Sequence, residues 1–219
     1  MHSFRYPAHE EQIEKIAHNA GYTNISLSHR TSPLSKLVAR AETTVVDAYL
    51  TPVLEHYVNL VRNKLNDQKN PTDLFFMQSS GGLVDGDSFR GKDSILSGPA
   101  GGIVGSAEVC RMAGFDRVIS FDMGGTSTDV AHYRGEMERT LESTISGTHL
   151  HTPMLNVHTV AAGGGSILHF EDGRFQTGPD SAGADPGPAC YRKGGPLTVT
   201  DCNVMLGKIS PQNFPRIFG

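Results

Sequence analysis

The chain is poor in cysteine, has no long apolar run and has no cluster of basic residues. Cys110, Cys190 and Cys202 are an odd set with spacings of 80 and 12 and no Cys-x-x-Cys pair, so neither a disulfide framework nor a zinc ribbon is indicated. Reduced thiols are expected. Apolar runs are no longer than Leu74-Phe-Phe-Met77, far below the roughly 20 residues of a membrane-spanning helix, and Met1-His-Ser-Phe-Arg5 carries no signal-peptide core. No membrane partner and a cytoplasmic location are therefore expected. Basic and acidic residues number 19 and 23, with no basic run longer than Arg192-Lys193, so duplex nucleic acid is not an expected partner. His149, His151 and His158 fit no helical His-Glu-x-x-His pattern and are read as surface or hydrogen-bonding groups.

What is present points to an ordered α/β protein rich in turns. Hydrophobic residues make up 37% of 219, enough for a sizeable core, and the 25 glycines exceed the average share of about 7%. Ile13, Ile16, Ala17 and Ala20 keep helical spacing from Glu10 to Ala20, ended by Gly21, and Thr23–Ser28 reads as a half-buried strand leaving that helix. A second helix is expected from Thr43 to Leu65 on the stripe Val46, Tyr49, Val53, Tyr57, Leu60 and Val61, kinked or divided at Pro52. Leu74–Met77 reads as a buried strand delivering Ser79-Ser-Gly-Gly82, and Ser97-Gly-Pro-Ala-Gly-Gly102 opens a helix that runs through Ala113 and stops at Gly114. That glycine-rich opening suits either an anion at the helix N-terminus or close packing. Strands are expected at Arg117–Phe121 and Thr128–Tyr133, with a third before Gly147. A hairpin should follow around Glu171-Asp-Gly173, then an aperiodic loop from Gly178 to Pro196, and a short helix from Thr200 to Leu206. Helices and strands alternate in this reading, which favours α/β.

The chemistry concentrates in Val118-Ile-Ser-Phe-Asp-Met-Gly-Gly-Thr-Ser-Thr-Asp-Val130, a strand, a Gly-Gly turn and a second strand. Gly124 and Gly125 let backbone N–H groups approach phosphate oxygens that a Cβ would obstruct, and Thr126, Ser127 and Thr128 add hydroxyl donors. Asp122, at a strand end, is suited to hold Mg²⁺ through water or to orient an attacking water, and Asp129 is a second candidate for that last role. The opposing reading is an acidic hairpin whose aspartates only cap turns. Gly163-Gly-Gly-Ser166 is a further candidate for nucleotide or substrate contact, against a plain glycine turn. A nucleophilic Cys190 is a minor candidate without an assignable partner, and Asp185 and Asp201 are polar contacts rather than catalytic groups.

Phe121-Asp-Met-Gly-Gly-Thr-Ser-Thr-Asp-Val130 resembles the second phosphate loop of the sugar kinase, heat-shock chaperone and actin superfamily. Leu96-Ser-Gly-Pro-Ala-Gly-Gly102, Thr159-Val-Ala-Ala-Gly-Gly-Gly-Ser166, Gly178–Tyr191 and Thr198-Val-Thr-Asp201 together resemble the ATP-dependent hydantoinase and oxoprolinase family. The resemblance implies an actin-like ATPase lobe with a mixed sheet and flanking helices. It implies ATP and Mg²⁺ as cofactors, and a lactam as substrate. Within the family, Tyr191–Asp201 followed by Phe214–Gly219 is most similar to the branch that opens 5-oxo-L-proline to L-glutamate with release of ADP and phosphate. N-methylhydantoin hydrolysis, ketone carboxylation and a non-enzymatic actin-like switch are the alternatives. The family also implies a first phosphate loop that this sequence does not contain. Residues 1–219 are thus expected to be an internal portion of the ATP-binding region, with 1–95 an αβ and connecting part, 96–219 the second phosphate-loop lobe, and no firm boundary between them. The remainder of the enzyme or a partner subunit would complete it, as a homo-oligomer, and the isolated portion is expected to be inactive.

Overall fold

The computed structural model describes residues 2–65 and 72–214, which form two compact units: Met1–Asp116 with Arg134–Asn156, and Arg117–Tyr133 with Val157–Gly219. The division does not fall at residue 95. The chain instead leaves the first unit for the strand-turn-strand, returns for a hairpin, and leaves again. Of the Phe214–Gly219 segment that carries part of the resemblance, residues 215–219 lie outside the described residues.

In the first unit, α1 (Ala8–Asn19) ends at Gly21, whose φ of +94° suits a residue without a Cβ. The expected strand at Thr23–Ser28 does not form. Its hydroxyls are drawn to distant carboxylates instead: Ser26 donates to Asp47 Oδ2 at 2.7 Å and Ser28 to Glu10 Oε1 at 2.5 Å, and the chain enters the short helix α2 (Ser28–Thr31). Burial pushes the Glu10 carboxyl up, but hydrogen bonds from Ser28, His29 and Ser3 outweigh it and hold it at about 2.

Helix α3 (Leu37–Leu65) starts six residues before the expected position and runs unbroken through Pro52. Its inner face is polar: Arg40, Thr43, Asp47 and Thr51 are buried, with Val58 the buried apolar residue. Thr51 Oγ1 accepts from Gly91 N at 3.0 Å and Asp47 Oδ1 from Lys92 N at 3.1 Å, anchoring the helix on the turn before Pro52. The expected apolar stripe faces outward, with Tyr49 78%, Val53 69% and Tyr57 55% exposed.

Strands β1 (Phe75–Met77) and β2 (Leu83–Asp85) form an antiparallel hairpin around the Ser79–Gly82 turn; Phe75 and Leu83 are exposed, so this is no buried strand. After the short helix α4 (Gly91–Ser94), α5 (Ser97–Met112) buries Ala100, Ile103 and Ala107 along one face. That supports packing as the role of its small residues, although Gly98 and Gly105 have open space around them. The hairpin of β5 (Arg139–Ile145) and β6 (Thr148–Leu155) packs on α3, where Thr43 Oγ1 accepts from His151 N at 2.8 Å, and it contributes Leu150, Met154 and Leu155 to the core.

The second unit contains β3 (Arg117–Met123), β4 (Thr128–Arg134) and β7 (His158–Val160) in the sheet order β3-β4-β7. Antiparallel β8 (Ser166–Glu171) and β9 (Arg174–Ser181) turn at Asp172 and Gly173, both with positive φ, as the Glu171-Asp-Gly173 signal predicts. Helix α6 (Val199–Met205) closes the unit. Between α5 and α6 come seven strands and no α-helix, so the expected regular alternation gives way to consecutive hairpins, in a mixed α/β fold. Among the described residues no helix is long and apolar enough to cross a membrane.

Candidate functional site

The Gly124–Ser127 turn joins β3 to β4 and is closed by Gly124 N donating to Ser127 O at 2.8 Å. Behind it lies the Gly163–Gly165 loop. Gly164 N donates to Gly124 O at 2.9 Å and Gly165 N to Gly125 O at 2.6 Å. Because a trans peptide points its C=O and N–H in opposite directions, tying these two carbonyls backward aims the N–H groups of Gly125 and Thr126 away from the loop. Those amides, and that of Ser127, have no acceptor among the described residues, nor do the Thr126 and Ser127 hydroxyls. The outer side of the turn is exposed at Gly124, Gly125 and Thr126, whereas Gly163, Gly165 and Ser166 are buried.

The approach of the two backbones explains the glycines. A Cβ on Gly163 would lie 2.6 Å from the Gly125 carbonyl carbon, and one on Gly165 would lie 2.9 Å from the Gly125 oxygen. Gly163 N donates to the buried Ser166 Oγ at 2.9 Å, so every N–H from Gly163 to Gly165 has an internal acceptor. The loop expected to touch a nucleotide thus sits behind the turn, and what its missing side chains admit is the turn itself.

Thr128, expected as a third hydroxyl donor to a ligand, is 5% exposed, and its hydroxyl donates to Ala162 O at 2.5 Å. It stitches the turn to the following loop. Asp129 is opposite Thr159 in the β4–β7 register and accepts from its hydroxyl at 2.7 Å, a cross-strand hydrogen bond. Asp122 differs: it is exposed near the end of β3, caps no turn, and its side chain has no ion pair or hydrogen bond among the described residues. One free carboxylate beside outward amides fits the way Mg²⁺ is held by one or two carboxylates together with phosphate oxygens and water. Among the described residues no group of three His, Cys, Asp or Glu side chains could hold a metal.

The role of Thr200 escaped the sequence reading, and Asp201, read there as a polar contact, is one with backbone partners that the reading did not name. Thr200 donates to Gly164 O twice, from N and from Oγ1, each at 2.8 Å. Asp201 is 6% exposed and accepts from Thr198 N at 2.7 Å, Thr198 Oγ1 at 3.0 Å, Cys190 N at 2.7 Å and Ala189 N at 3.2 Å. Burial pushes its carboxyl up, but the bonds from Cys190 and Thr198 outweigh this and hold it below the usual range. The legible signal was Thr198-x-x-Asp201, the capping-box spacing, which the structure realises at the start of α6. Burial, and then Asp201, push the Cys190 thiol up to about 11, which keeps it protonated at neutral pH and removes the basis for a nucleophilic role. Asp185 is exposed and lies 4.0 Å from Lys193.

The strand-turn-strand and its supporting loop lie within a mixed α/β fold of the actin-like ATPase class. The chain belongs to the hydantoinase/oxoprolinase family, whose model matches residues 40–219. It is 50% identical over 225 aligned residues to the 5-oxoprolinase of Saccharomyces cerevisiae, covering all of this chain and 17% of that protein. The chain therefore spans about a sixth of the length of that relative. Among solved structures it resembles a nucleotide-free acetone carboxylase, with a TM-score of 0.79 and 26% identity over 98% of this chain and 31% of the other. It also resembles the ATP-dependent caprolactamase of Pseudomonas jessenii, with a TM-score of 0.74 and 38% identity over 95% of this chain and 31% of the other.

Proposed function

We propose that this chain carries one phosphate-binding half of the ATP site in an enzyme that hydrolyses 5-oxo-L-proline to L-glutamate, releasing ADP and phosphate. The observation that carries the reading is the pair of peptide units tied backward by Gly164 and Gly165, which leaves the Gly125 and Thr126 amides facing outward in the strand-turn-strand that bears Asp122. Phosphoryl transfer depends on positioning and charge neutralisation, and preorganised amides supply both without reorganising. In this reading Gly125, Thr126 and Ser127 present donors to phosphate oxygens, while Gly124, whose N–H closes the turn on Ser127 O, together with Gly163–Ser166 and Thr128 holds the turn in place. Asp122 would hold Mg²⁺, which supplies positive charge against the phosphates. Asp129, steadied by Thr159, orients water near the same turn.

An unactivated lactam is a poor electrophile. Transfer of the γ-phosphoryl group to its carbonyl oxygen expels ADP and leaves a ring carbon that water attacks; the C–N bond then breaks with protonation of the nitrogen to leave an acyl phosphate, and a second water hydrolyses that to the carboxylate and free phosphate. The identity to 5-oxoprolinases favours 5-oxo-L-proline over caprolactam, hydantoins or ketones as substrate. The remainder of the same, longer protein is proposed to supply the facing phosphate loop and to cover the outward apolar row of α3, a stripe spanning several turns that no described residue buries.

The test compares kcat/KM for ATP consumption by the complete enzyme with 5-oxo-L-proline, N-methylhydantoin, caprolactam, and acetone with bicarbonate, with glutamate measured as product. Preference for 5-oxo-L-proline is expected. Equal or better use of another compound overturns the substrate, and ATP turnover with none of them overturns the reaction.

A further inference from the structure

We infer that Thr200 is a positioning residue for the phosphate turn, acting through two peptide units that it does not share a strand with. This rests on the proposed binding of phosphate at Gly124–Ser127. Thr200 N and Oγ1 both donate to Gly164 O. That oxygen belongs to the same peptide as Gly165 N–H, which donates to Gly125 O at 2.6 Å. The Gly125 carbonyl in turn shares a peptide with Thr126 N–H, which has no internal acceptor. Two trans peptides are therefore lined up head to tail between Thr200 and the outward amide of Thr126. Hydrogen bonds in such a chain polarise one another, so donation at Thr200 strengthens the terminal N–H as a donor as well as fixing its direction.

The remaining contacts fit that role. The Thr200 hydroxyl lies 2.7 Å from where a Gly164 Cβ would be, so the glycine is required for the hydroxyl to reach the carbonyl. Asp201 secures the segment: its four accepted bonds lock Thr198 and the Ala189–Cys190 backbone around the first turn of α6. Thr200 does not touch the ligand in this scheme. It sets the height and polarity of an amide that does.

The experiment uses the complete enzyme with Thr200→Ala and Thr200→Ser, measuring KM for ATP, KM for the lactam, and melting temperature, beside Asp122→Asn. Thr200→Ala should raise KM for ATP about five-fold or more, the size of effect expected from losing one hydrogen bond in a polar chain. KM for the lactam should stay within about two-fold, and Thr200→Ser should restore ATP use because its hydroxyl keeps the bond. If alanine prevents folding, Thr200→Val, which sets a methyl against the Gly164 carbonyl, replaces it with the same expectation. An equal change in both KM values, or no rescue by serine, reduces Thr200 to a structural residue and overturns the inference. Unchanged ATP kinetics in Thr200→Ala with an inactive Asp122→Asn also overturns it while leaving the phosphate turn standing. A fully active Asp122→Asn together with unchanged Thr200→Ala removes the turn from the ATP site, and the inference with it.

Discussion

Gly163→Ala is the substitution whose consequence follows most directly from the geometry. The added Cβ would lie 2.6 Å from Gly125 C, 2.7 Å from Gly125 O and 2.7 Å from Thr126 C, all of them backbone atoms that no rotamer change can move. Restoring an ordinary contact of 3.4 Å requires a displacement of about 0.8 Å between loop and turn. Gly163 is buried and the turn is exposed, so the turn yields outward and the bonds from Gly164 N and Gly165 N stretch with it. Overpacking of this kind costs about 1–3 kcal/mol of stability. Its effect on catalysis is larger, because a misplacement near 1 Å in groups that position a reacting phosphate costs on the order of 100-fold. The assay is kcat/KM for ATP in the complete enzyme, with circular dichroism and thermal melting to confirm folding, and Gly98→Ala as control. Gly98 lies in α5 with nothing within 4 Å of its Cβ position, so alanine there should leave activity unchanged. A folded Gly163→Ala enzyme with kcat/KM within about three-fold of wild type would refute the claim that this loop fixes the turn.

Asp122→Asn should lower substrate-dependent ATP hydrolysis by more than about ten-fold without loss of fold, since an amide cannot replace the carboxylate charge that the proposed Mg²⁺ site requires; steady-state turnover beside melting checks it. Cys190→Ser should retain near wild-type turnover, because a thiol held at about 11 is not a working nucleophile; inactivation with the fold intact would count against this. Glu10, held at about 2 against an ordinary 4.5, stabilises the α1–α2 region fully above pH 4.5, and the contribution is lost as pH falls toward 2. Amide hydrogen exchange over residues 8–31 should therefore show protection lost in Glu10→Gln at pH 7, with the gap from wild type narrowing below pH 4.5; a constant gap down to pH 2.5 would contradict it.

Local signals were read well where one stretch of chain contains its own cause. Gly21 and Gly114 each mark a helix end and each has positive φ, and Glu171-Asp-Gly173 makes its turn from its own dihedral preferences. The strand-turn-strand at Arg117–Arg134 is of the same kind. Readings failed where the partner is far away. Ser26 and Ser28 leave a strand-like pattern because carboxylates at Asp47 and Glu10 take their hydroxyls, and no rule within residues 23–28 anticipates that. Thr128 reads as a ligand donor until Ala162 O, distant in sequence, is seen to accept its hydrogen bond.

Helix α3 shows the limit from the opposite direction. Periodicity identified the helix but assigned its inside to Tyr49, Val53 and Tyr57, whereas the face buried in this structure is Arg40, Thr43, Asp47 and Thr51. The polar face is periodic because it is a surface of contact in this structure, and in the proposed reading the apolar face is periodic because the remainder of a longer protein covers it. The polar face is satisfied by specific partners such as Gly91 N, Lys92 N and His151 N, each of which takes an acceptor that would be costly to bury alone. The apolar face has the composition of a core and the exposure of a surface, a combination that costs solvation free energy unless something covers it. A hydrophobic pattern thus records burial in whatever assembly the helix belongs to, so it can be a true signal of packing and still point away from the core that this chain builds by itself.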